Sequence, residues 1–273
     1  MAKRKKRKWT AKTVDRYELY TEAVQAPEAE VKFARRVYRK QNGSSPIWVR
    51  EDFCGTAAIC CAWVRSDPGN RAIGVDLDPA PLDWGRRHYL AKLRPDQAER
   101  VELIQGNVLE VKVRPVDVIL ALNFSFCVFK QRAVLLQYLR RCRRSLADGG
   151  IMVMDIYGGP DAQRPKKDRT RKEGFTYVWD QARYNPITNE ALNHIRFDFP
   201  DGSRIKRAFT YDWRLWTLSE LHDALLESGF ADAHVYWEGT DEDGEGNGVF
   251  RRRDRVEVED AWVAYIVGVT RGG

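Results

Sequence analysis

The sequence predicts an α/β fold built around a doubly wound sheet of mainly parallel strands. Two observations favour this fold. Between residues 47 and 156, short runs of aliphatic residues alternate with longer amphipathic segments, as strands and connecting helices do. After residue 157 the alternation stops and strand-like runs follow one another directly, which is typical of antiparallel pairing.

The elements follow in order along the chain. Residues 14–40 have the apolar spacing of one or two helices, interrupted near Pro27. A strand begins at Ile47, and we place the next four parallel strands at residues 72–76, 101–105, 116–122 and 151–156. The helices between them are predicted at residues 57–64, 79–92 and 130–146. This pattern predicts the parallel part of the sheet.

The second half of the chain predicts an insertion and a return to the sheet. Strand-like runs at 175–184, 192–199 and 204–213 are separated by turn sequences, which indicates a three-stranded meander. Thr217 and Glu220 have the spacing of a capping box that opens a helix, and Gly229 ends it. Two last strands, at 233–237 and 261–269, flank an acidic, glycine-rich loop over 238–248, which completes a seven-stranded sheet.

The predicted organisation has five segments. They are a basic tail (1–13), an N-terminal helical cap (14–46), a core domain (47–157), a β-meander lid (158–216) and the end of the core (217–273). Lys3–Lys8 supplies six of the positive charges, so the formal net charge of +7 is mostly the tail's. We expect a solubilising tail; a nucleic-acid tether is the alternative.

Composition excludes several classes of protein. No apolar run approaches the roughly 20 residues that a membrane-spanning helix needs. The N-terminus does not resemble a secretory signal, and the five cysteines form no CxxC pair, so we expect a cytoplasmic protein with reduced thiols. The histidines lack ligand spacing, and no metal site is predicted.

Polar and small residues follow the predicted strand ends, where parallel sheets bind ligands. The first strand ends at Glu51 and turns through Gly55 into a helix; the second ends at Asp76. Gly106 and Asn107 follow the third strand, and Asn123 follows the fourth. Because Gly55 lacks a Cβ, the backbone there can approach a ligand closely.

This order of strand ends resembles the class I S-adenosylmethionine-dependent methyltransferases over residues 48–156. The resemblance implies a Rossmann-like fold with S-adenosylmethionine as the cofactor. In that family the first loop typically reads acidic-x-Gly-x-Gly-x-Gly. Glu51 matches the acid and Gly55 one glycine, whereas Phe53 and Ala57 replace the other two.

The resemblance also assigns roles to single residues. Asp76 would hold the ribose hydroxyls, Leu77 would pack on the adenine, and Asn107 would bind the adenine amine beside Val108. Asn123 would lie below the methionine part. The full set of expected cofactor-binding residues is Glu51, Cys54, Gly55, Thr56, Asp76, Leu77, Gly106, Asn107, Val108 and Asn123.

A nicotinamide-dependent dehydrogenase is the main competitor, because glycine-rich turns followed by an acid also bind dinucleotides. The required G-x-G-x-x-G pattern is absent, since Phe53 and Ala57 stand at two of its positions. A phenylalanine there disfavours a pyrophosphate against the backbone, whereas S-adenosylmethionine carries no phosphate.

The residues after the fourth strand bear on the methyl acceptor. Residues 123–126, Asn-Phe-Ser-Phe, lack the prolines of the Asn-Pro-Pro-Tyr/Phe signature found in adenine and glutamine methyltransferases. They resemble the Asn-Ser-Phe region of small-molecule amine methyltransferases similar to glycine N-methyltransferase and the sugar N,N-dimethyltransferases. The aromatic meander adds to this resemblance. The expected substrate-binding residues are Phe126, Tyr157, Trp213, Arg214 and Trp216.

We therefore predict methyl transfer to a small molecule, with nitrogen favoured over oxygen or carbon. A hydroxyl or carbon acceptor would require a base, for which Tyr157 and Glu238 are the candidates. The alternatives are an RNA or protein methyltransferase that uses Lys3–Lys8, and a non-catalytic scaffold that binds S-adenosylmethionine. We expect a monomer or homodimer without a membrane partner.

Overall fold

The computed structural model describes residues 9–242 and 246–272. It divides into two compact units. The smaller unit contains the described residues up to Gln25 together with Pro160–Leu215, and the larger contains Ala26–Gly159 and Trp216 onward. The basic segment Lys3–Lys8 lies outside the described residues.

The helices and strands alternate as the sequence predicts. The helices are α1 (Arg16–Val24), α2 (Pro27–Asn42), α3 (Ala58–Ser66), α4 (Pro79–His88), α5 (Pro95–Ala98), α6 (Arg132–Ser145) and α7 (Leu218–Glu227). The strands are β1 (Trp48–Asp52), β2 (Arg71–Asp76), β3 (Val101–Gln105), β4 (Val116–Ala121), β5 (Leu146–Gly158), β6 (Lys166–Lys172), β7 (Phe175–Asn185), β8 (Glu190–Asp198), β9 (Arg204–Arg214), β10 (Asp232–Thr240), β11 (Gly246–Arg252) and β12 (Trp262–Val269).

The larger unit is built on one sheet with the strand order β11-β10-β12-β5-β4-β1-β2-β3. Strands β1 to β5 pair in parallel, and β12 lies antiparallel between β5 and β10. The prediction of a doubly wound α/β sheet is confirmed, but the sheet has eight strands and not seven. The additional strand, β11, pairs with β10 as a hairpin.

The prediction of an acidic, glycine-rich loop over 238–248 was therefore wrong at both ends. Residues up to Thr240 belong to β10, and β11 begins at Gly246. Most of β11 is exposed at the edge of the sheet. An edge strand without a buried face shows no hydrophobic alternation, so its sequence does not distinguish it from a loop.

Helices α2 and α3 pack on one face of this sheet. The apolar positions of α2 are buried there, with Phe33 stacked on Tyr265 at 4.2 Å between ring centroids. Helix α3 is buried along most of its length, and Trp63 donates a hydrogen bond of 3.0 Å to the carbonyl of Ile47. The Trp63 contact holds the second half of α3 beside the amino end of β1.

The smaller unit contains a four-stranded antiparallel sheet in the order β6-β7-β8-β9. Three of these strands were predicted; the sequence analysis missed β6, whose residues are nearly all charged and exposed. Helix α1 packs on this sheet through the buried side chain of Leu19, and the Tyr20 ring lies 4.9 Å from that of Phe209.

In the ranges described, no helix has the length and apolar character of a membrane span. Over the same ranges, no group of three or more histidine, cysteine or acidic side chains is arranged to hold a metal ion.

Candidate active site

The loop between β1 and α3 keeps a left-handed backbone at all three positions where the family pattern has glycine. The φ angles are 57° at Phe53, 53° at Gly55 and 58° at Ala57. This conformation costs a residue with a Cβ roughly 1–2 kcal/mol. At Phe53 aromatic packing offsets the cost, because its ring lies 5.8 Å from the rings of both Phe129 and Tyr138. The loop geometry is therefore retained although two glycines are replaced.

Gly55 and Asp76 join this loop to the end of β2. The Gly55 N–H donates to Asp76 Oδ2 at 2.7 Å, and the Asp78 N–H donates to Asp76 Oδ1 at 2.9 Å. Burial raises the pKa of Asp76, while these two N–H groups oppose the shift. Each carboxylate oxygen has a second lone pair, so Asp76 can still accept hydrogen bonds from a ligand.

Glu51, in β1, is buried, and its carboxylate contacts the start of α3. Its Oε2 accepts hydrogen bonds from the N–H and the thiol of Cys60, both at 3.1 Å. Burial raises the pKa of Glu51 to about 8, although both hydrogen bonds from Cys60 lower it. Nearby, Cys54 and Thr56 are also buried, and Thr56 Oγ1 has no hydrogen-bond partner.

The ends of β2 and β3 carry the residues expected around an adenine. Leu77 is 70% exposed, which is unusual for a leucine beside a buried strand. The Gly106 N–H donates to the Asp76 carbonyl at 2.9 Å, which holds the two strand ends together. Asn107 Oδ1 accepts from the Leu109 N–H at 3.0 Å, and Val108 is buried.

The loop after β4 is held by an aspartate that the sequence analysis missed. Asn123 and Phe124 both have left-handed backbones, with φ of 57° and 56°. Their N–H groups donate to the two oxygens of Asp155, each at 2.8 Å. Burial of the carboxyl group raises the pKa of Asp155 to about 7 against the effect of these N–H groups. The signal was a single acid within the apolar run of β5.

The expected substrate-binding residues have different environments. Phe126 has no exposed surface, whereas Tyr157 is partly exposed and its ring lies 4.7 Å from that of Phe124. Trp216 is buried in the larger unit. Trp213 and Arg214 belong to the smaller unit, where the Trp213 ring lies 4.4 Å from that of Tyr211. All five assignments remain predictions.

Of the two candidate bases, Glu238 is held by the β10–β11 hairpin. Its Oε1 accepts from the Gly248 N–H at 2.8 Å. Tyr157 is at the carboxyl end of β5, beside Asp155 and the loop after β4.

A buried ionic network lies on the other face of β1, and the sequence analysis did not foresee it. Arg50 donates to both oxygens of Asp52 at 2.8 Å, and Tyr138 donates to Asp52 Oδ2 at 2.8 Å. Arg50 and Asp52 are each 1% exposed. The network ties β1 to α6 directly below Phe53.

Comparisons with known proteins agree with this geometry. Residues 54–152 match a family model described as a methyltransferase domain. A sequence search of curated proteins found no significant match.

Several solved structures share the fold over nearly the whole chain. An S-adenosylmethionine-dependent methyltransferase from Clostridium acetobutylicum has a TM-score of 0.67 at 16% identity, covering 94% of this chain and 98% of its own. The sugar N-methyltransferase KedS8 from a Streptoalloteichus species has a TM-score of 0.63 at 22% identity, covering 99% of each chain. CalS10, an amino pentose methyltransferase from Micromonospora echinaspora solved with S-adenosylmethionine, has a TM-score of 0.63 at 17% identity, covering 92% of this chain and 97% of its own.

Residues 54–152 therefore match a methyltransferase domain, and the chain has the fold of the S-adenosylmethionine-dependent methyltransferases. This confirms the class of enzyme that the order of strand ends predicted. The structures that share the fold include N-methyltransferases of sugars and of a glycopeptide.

Proposed function

We propose that this protein transfers a methyl group from S-adenosylmethionine to a nitrogen atom of a small-molecule amine. The observation that carries the proposal is the hydrogen bond of 2.7 Å between Gly55 and Asp76, which closes a left-handed loop against the acid at the end of β2. This arrangement lies at the carboxyl edge of the sheet, within a chain that matches a methyltransferase domain.

The residues at this edge fit the cofactor. A Cβ added to Gly55 would meet no atom within 4 Å, so open space lies beside the loop. Thr56 Oγ1 is a buried polar atom without a partner, and Leu77 offers an exposed apolar surface. Both are expected of a site that is completed by a ligand.

Each part of the cofactor has a candidate partner. Asp76 would accept hydrogen bonds from the ribose hydroxyls, Leu77 and Val108 would contact the adenine, and Glu51 would lie toward the methionine part. When bound, the cofactor supplies an electrophilic methyl group on a sulfonium sulfur. The protein's contribution is to hold the acceptor in line with that methyl group and to exclude water.

Two arguments support nitrogen as the acceptor atom: the reactivity of amines and the similarity of the fold to solved methyltransferases. An unprotonated amine is already nucleophilic, so it needs orientation more than a strong base. Two structures with the same fold over more than nine-tenths of this chain are described as a sugar N-methyltransferase and an amino pentose methyltransferase. Both descriptions name small acceptors.

The proposal can be tested by incubating the purified protein with S-adenosylmethionine and matched acceptors. D-glucosamine and D-glucose differ in one amine, and other amines can be compared with their hydroxyl counterparts. We expect S-adenosylhomocysteine, detected by mass spectrometry, with amines only. Turnover with the hydroxyl compounds, or with RNA or peptides alone, would contradict the assignment. Absence of turnover with every acceptor would favour a cofactor-binding scaffold.

A further inference from the structure

One face of the eight-stranded sheet collects acidic side chains near its carboxyl edge. In the register of the parallel strands, Glu51 of β1 pairs with Leu120 of β4, and Leu120 pairs with Val153 of β5. These three side chains therefore lie on the same face of the sheet. Asp155 follows Val153 by two residues and therefore points to the same face. Tyr265 pairs directly with Asp155, which extends this face to β12.

Helix α2 covers the same face and adds another acid. Phe33 of α2 stacks on Tyr265 at 4.2 Å, and Glu30 lies one helical turn earlier on the same side of the helix. Glu30 therefore projects over the edge that carries Glu51 and Asp155.

The electrostatics of Glu30 agree with this placement. The pKa of Glu30 is raised to about 8, mainly by burial. Repulsion from Asp155, Glu51 and Glu28 also raises it, in that order, whereas the backbone at Ala26 lowers it. The Tyr265 hydroxyl lies beside these acids. Its pKa is raised by burial first and then by the charges of Glu30 and Asp155.

Glu30, Glu51 and Asp155 form an acidic cluster, and within it Glu30 has one buried carboxyl oxygen without a hydrogen-bond partner. Asp155 and Glu51 both accept hydrogen bonds from backbone N–H groups. Glu30 Oε2 is buried and accepts none, although other parts of the residue are partly exposed. Among the described residues, Glu30 forms no salt bridge. A buried carboxylate oxygen without a partner is costly, which is expected where a cationic ligand supplies the missing donor.

The strand order separates this acidic cluster from the expected adenosine site. Asp76, Leu77 and Asn107 follow β2 and β3 at one side of the sheet, whereas Asp155 and Tyr265 lie on β5 and β12 at the other. Glu51 on β1 lies between the two. The part of the carboxyl edge formed by β5 and β12 is therefore available to bind the acceptor.

We propose that Glu30 binds the ammonium group of the acceptor and takes one proton from it. This inference rests on the proposed function, because it assumes an amine acceptor. The proton passes from the ammonium nitrogen to a carboxylate oxygen of Glu30, leaving the nitrogen with a free electron pair and Glu30 neutral. Glu30 later releases the proton to water. A base that titrates near neutral pH is well matched to this exchange.

The test is a titration of the Glu30 carboxyl group by NMR, which does not require the natural acceptor. Protein containing glutamate labelled with ¹³C at the carboxyl carbon is titrated with and without bound S-adenosylhomocysteine. The Glu30 signal is the one that is missing in Glu30→Gln, and Glu30→Asp provides a second assignment. The probe is methylammonium; methanol, of similar size and uncharged, is the control. Glu28, on the same helix and exposed, is the internal reference.

We expect the Glu30 midpoint to fall by about 1 to 3 pH units with methylammonium, because a nearby cation favours the ionised carboxyl group. Methanol should leave it unchanged, and Glu28 should not respond to either probe. No response of Glu30 to methylammonium, in the free and the loaded protein alike, would overturn the proposal.

The cofactor also carries an ammonium group, and the same titration distinguishes it. If S-adenosylhomocysteine alone lowers the midpoint and 5′-methylthioadenosine, which lacks the amino-acid part, does not, Glu30 binds the cofactor and the acceptor assignment is wrong. Calorimetry with S-adenosylmethionine tests the proposed function separately. If the cofactor fails to bind, the proposed function fails, while the titration of the free protein still reports on Glu30.

Discussion

Asp76 Oδ2 accepts a hydrogen bond of 2.7 Å from the N–H of Gly55, so the acid at the end of β2 also shapes the loop after β1. The other oxygen of the same carboxylate holds Asp78 at the start of α4. One side chain thus organises two loops that flank the expected ribose position. Its loss affects loop geometry and ligand contacts together.

We expect Asp76→Asn to weaken S-adenosylmethionine binding at least ten-fold. The amide has one acceptor oxygen in place of two, so either Gly55 or Asp78 loses its acceptor, and charge-assisted bonds of about 1.5–3 kcal/mol to the ribose are lost. Calorimetry measures the effect. Asp83→Asn is the control, because Asp83 is exposed and paired with Arg86. Equal affinities of wild type and Asp76→Asn would contradict our placement of the ribose.

Glu51→Gln should change stability in a pH-dependent manner. The pKa of Glu51 is raised from 4.5 to about 8 in the folded protein, so the native state retains a proton that the unfolded chain releases. Stability from this group is present below pH 4.5 and is lost as pH rises through 8, by up to about 1.4 kcal/mol per pH unit.

Glutamine cannot ionise but can still accept the Cys60 N–H. Relative to wild type, the variant should therefore gain stability between pH 5 and 8, as urea unfolding at each pH would show. A difference in unfolding free energy that does not vary with pH would show that Glu51 titrates normally.

The buried network on β1 predicts an order of destabilisation. Tyr138→Phe removes one hydrogen bond to a charged acceptor and should cost about 1.5–3 kcal/mol. Asp52→Ala leaves Arg50 buried without its partner and should cost about 3–5 kcal/mol. Urea denaturation followed by circular dichroism measures both. The reverse order would mean that Arg50 finds another partner or reaches water.

Gly85 of α4 and Gly106 after β3 provide a matched pair. A Cβ on Gly85 would lie 2.2 Å from the carbonyl oxygen of Thr56, whereas the nearest atom to a Cβ on Gly106 is 3.6 Å away. Gly85→Ala should therefore displace the cofactor loop, costing about 1–3 kcal/mol and weakening cofactor binding. Gly106→Ala should be nearly neutral in unfolding, because its added Cβ meets no atom closer than 3.6 Å. Equal unfolding free energies of the two variants would contradict the close approach of α4 to the loop.

Several elements could be predicted because their signals are local. The capping box at the start of α7 is present as expected: the Glu220 N–H donates to Thr217 Oγ1 at 3.2 Å and the Thr217 N–H to Glu220 at 2.9 Å. The parallel strands β1, β2, β4 and β5 were found from apolar runs because most of their residues are buried. The two strands that were missed, β6 and β11, lie at sheet edges and are mostly exposed.

The site was predicted in part for the same reason. The order of strand ends placed Gly55 and Asp76 in one expected cofactor site, because parallel strands end at the same edge. It did not identify Asp155 as the residue that holds Asn123 and Phe124, or Glu30 as a member of the acidic cluster. Glu30 and Asp155 are 125 positions apart, and their proximity depends on how α2 packs across β12 and β5.

By itself, the sequence determined the alternation of strands and helices, the order of polar residues at the strand ends and hence the class of enzyme. These properties follow from the spacing of apolar and polar side chains along the chain, which can be read from short stretches of sequence. Only the tertiary structure decided that Phe53 takes a left-handed backbone, that Arg50 and Asp52 pair in the core, and that one oxygen of Glu30 remains without a partner. Each depends on contacts between segments distant in sequence, and burial there changes both the conformation and the pKa that a side chain adopts.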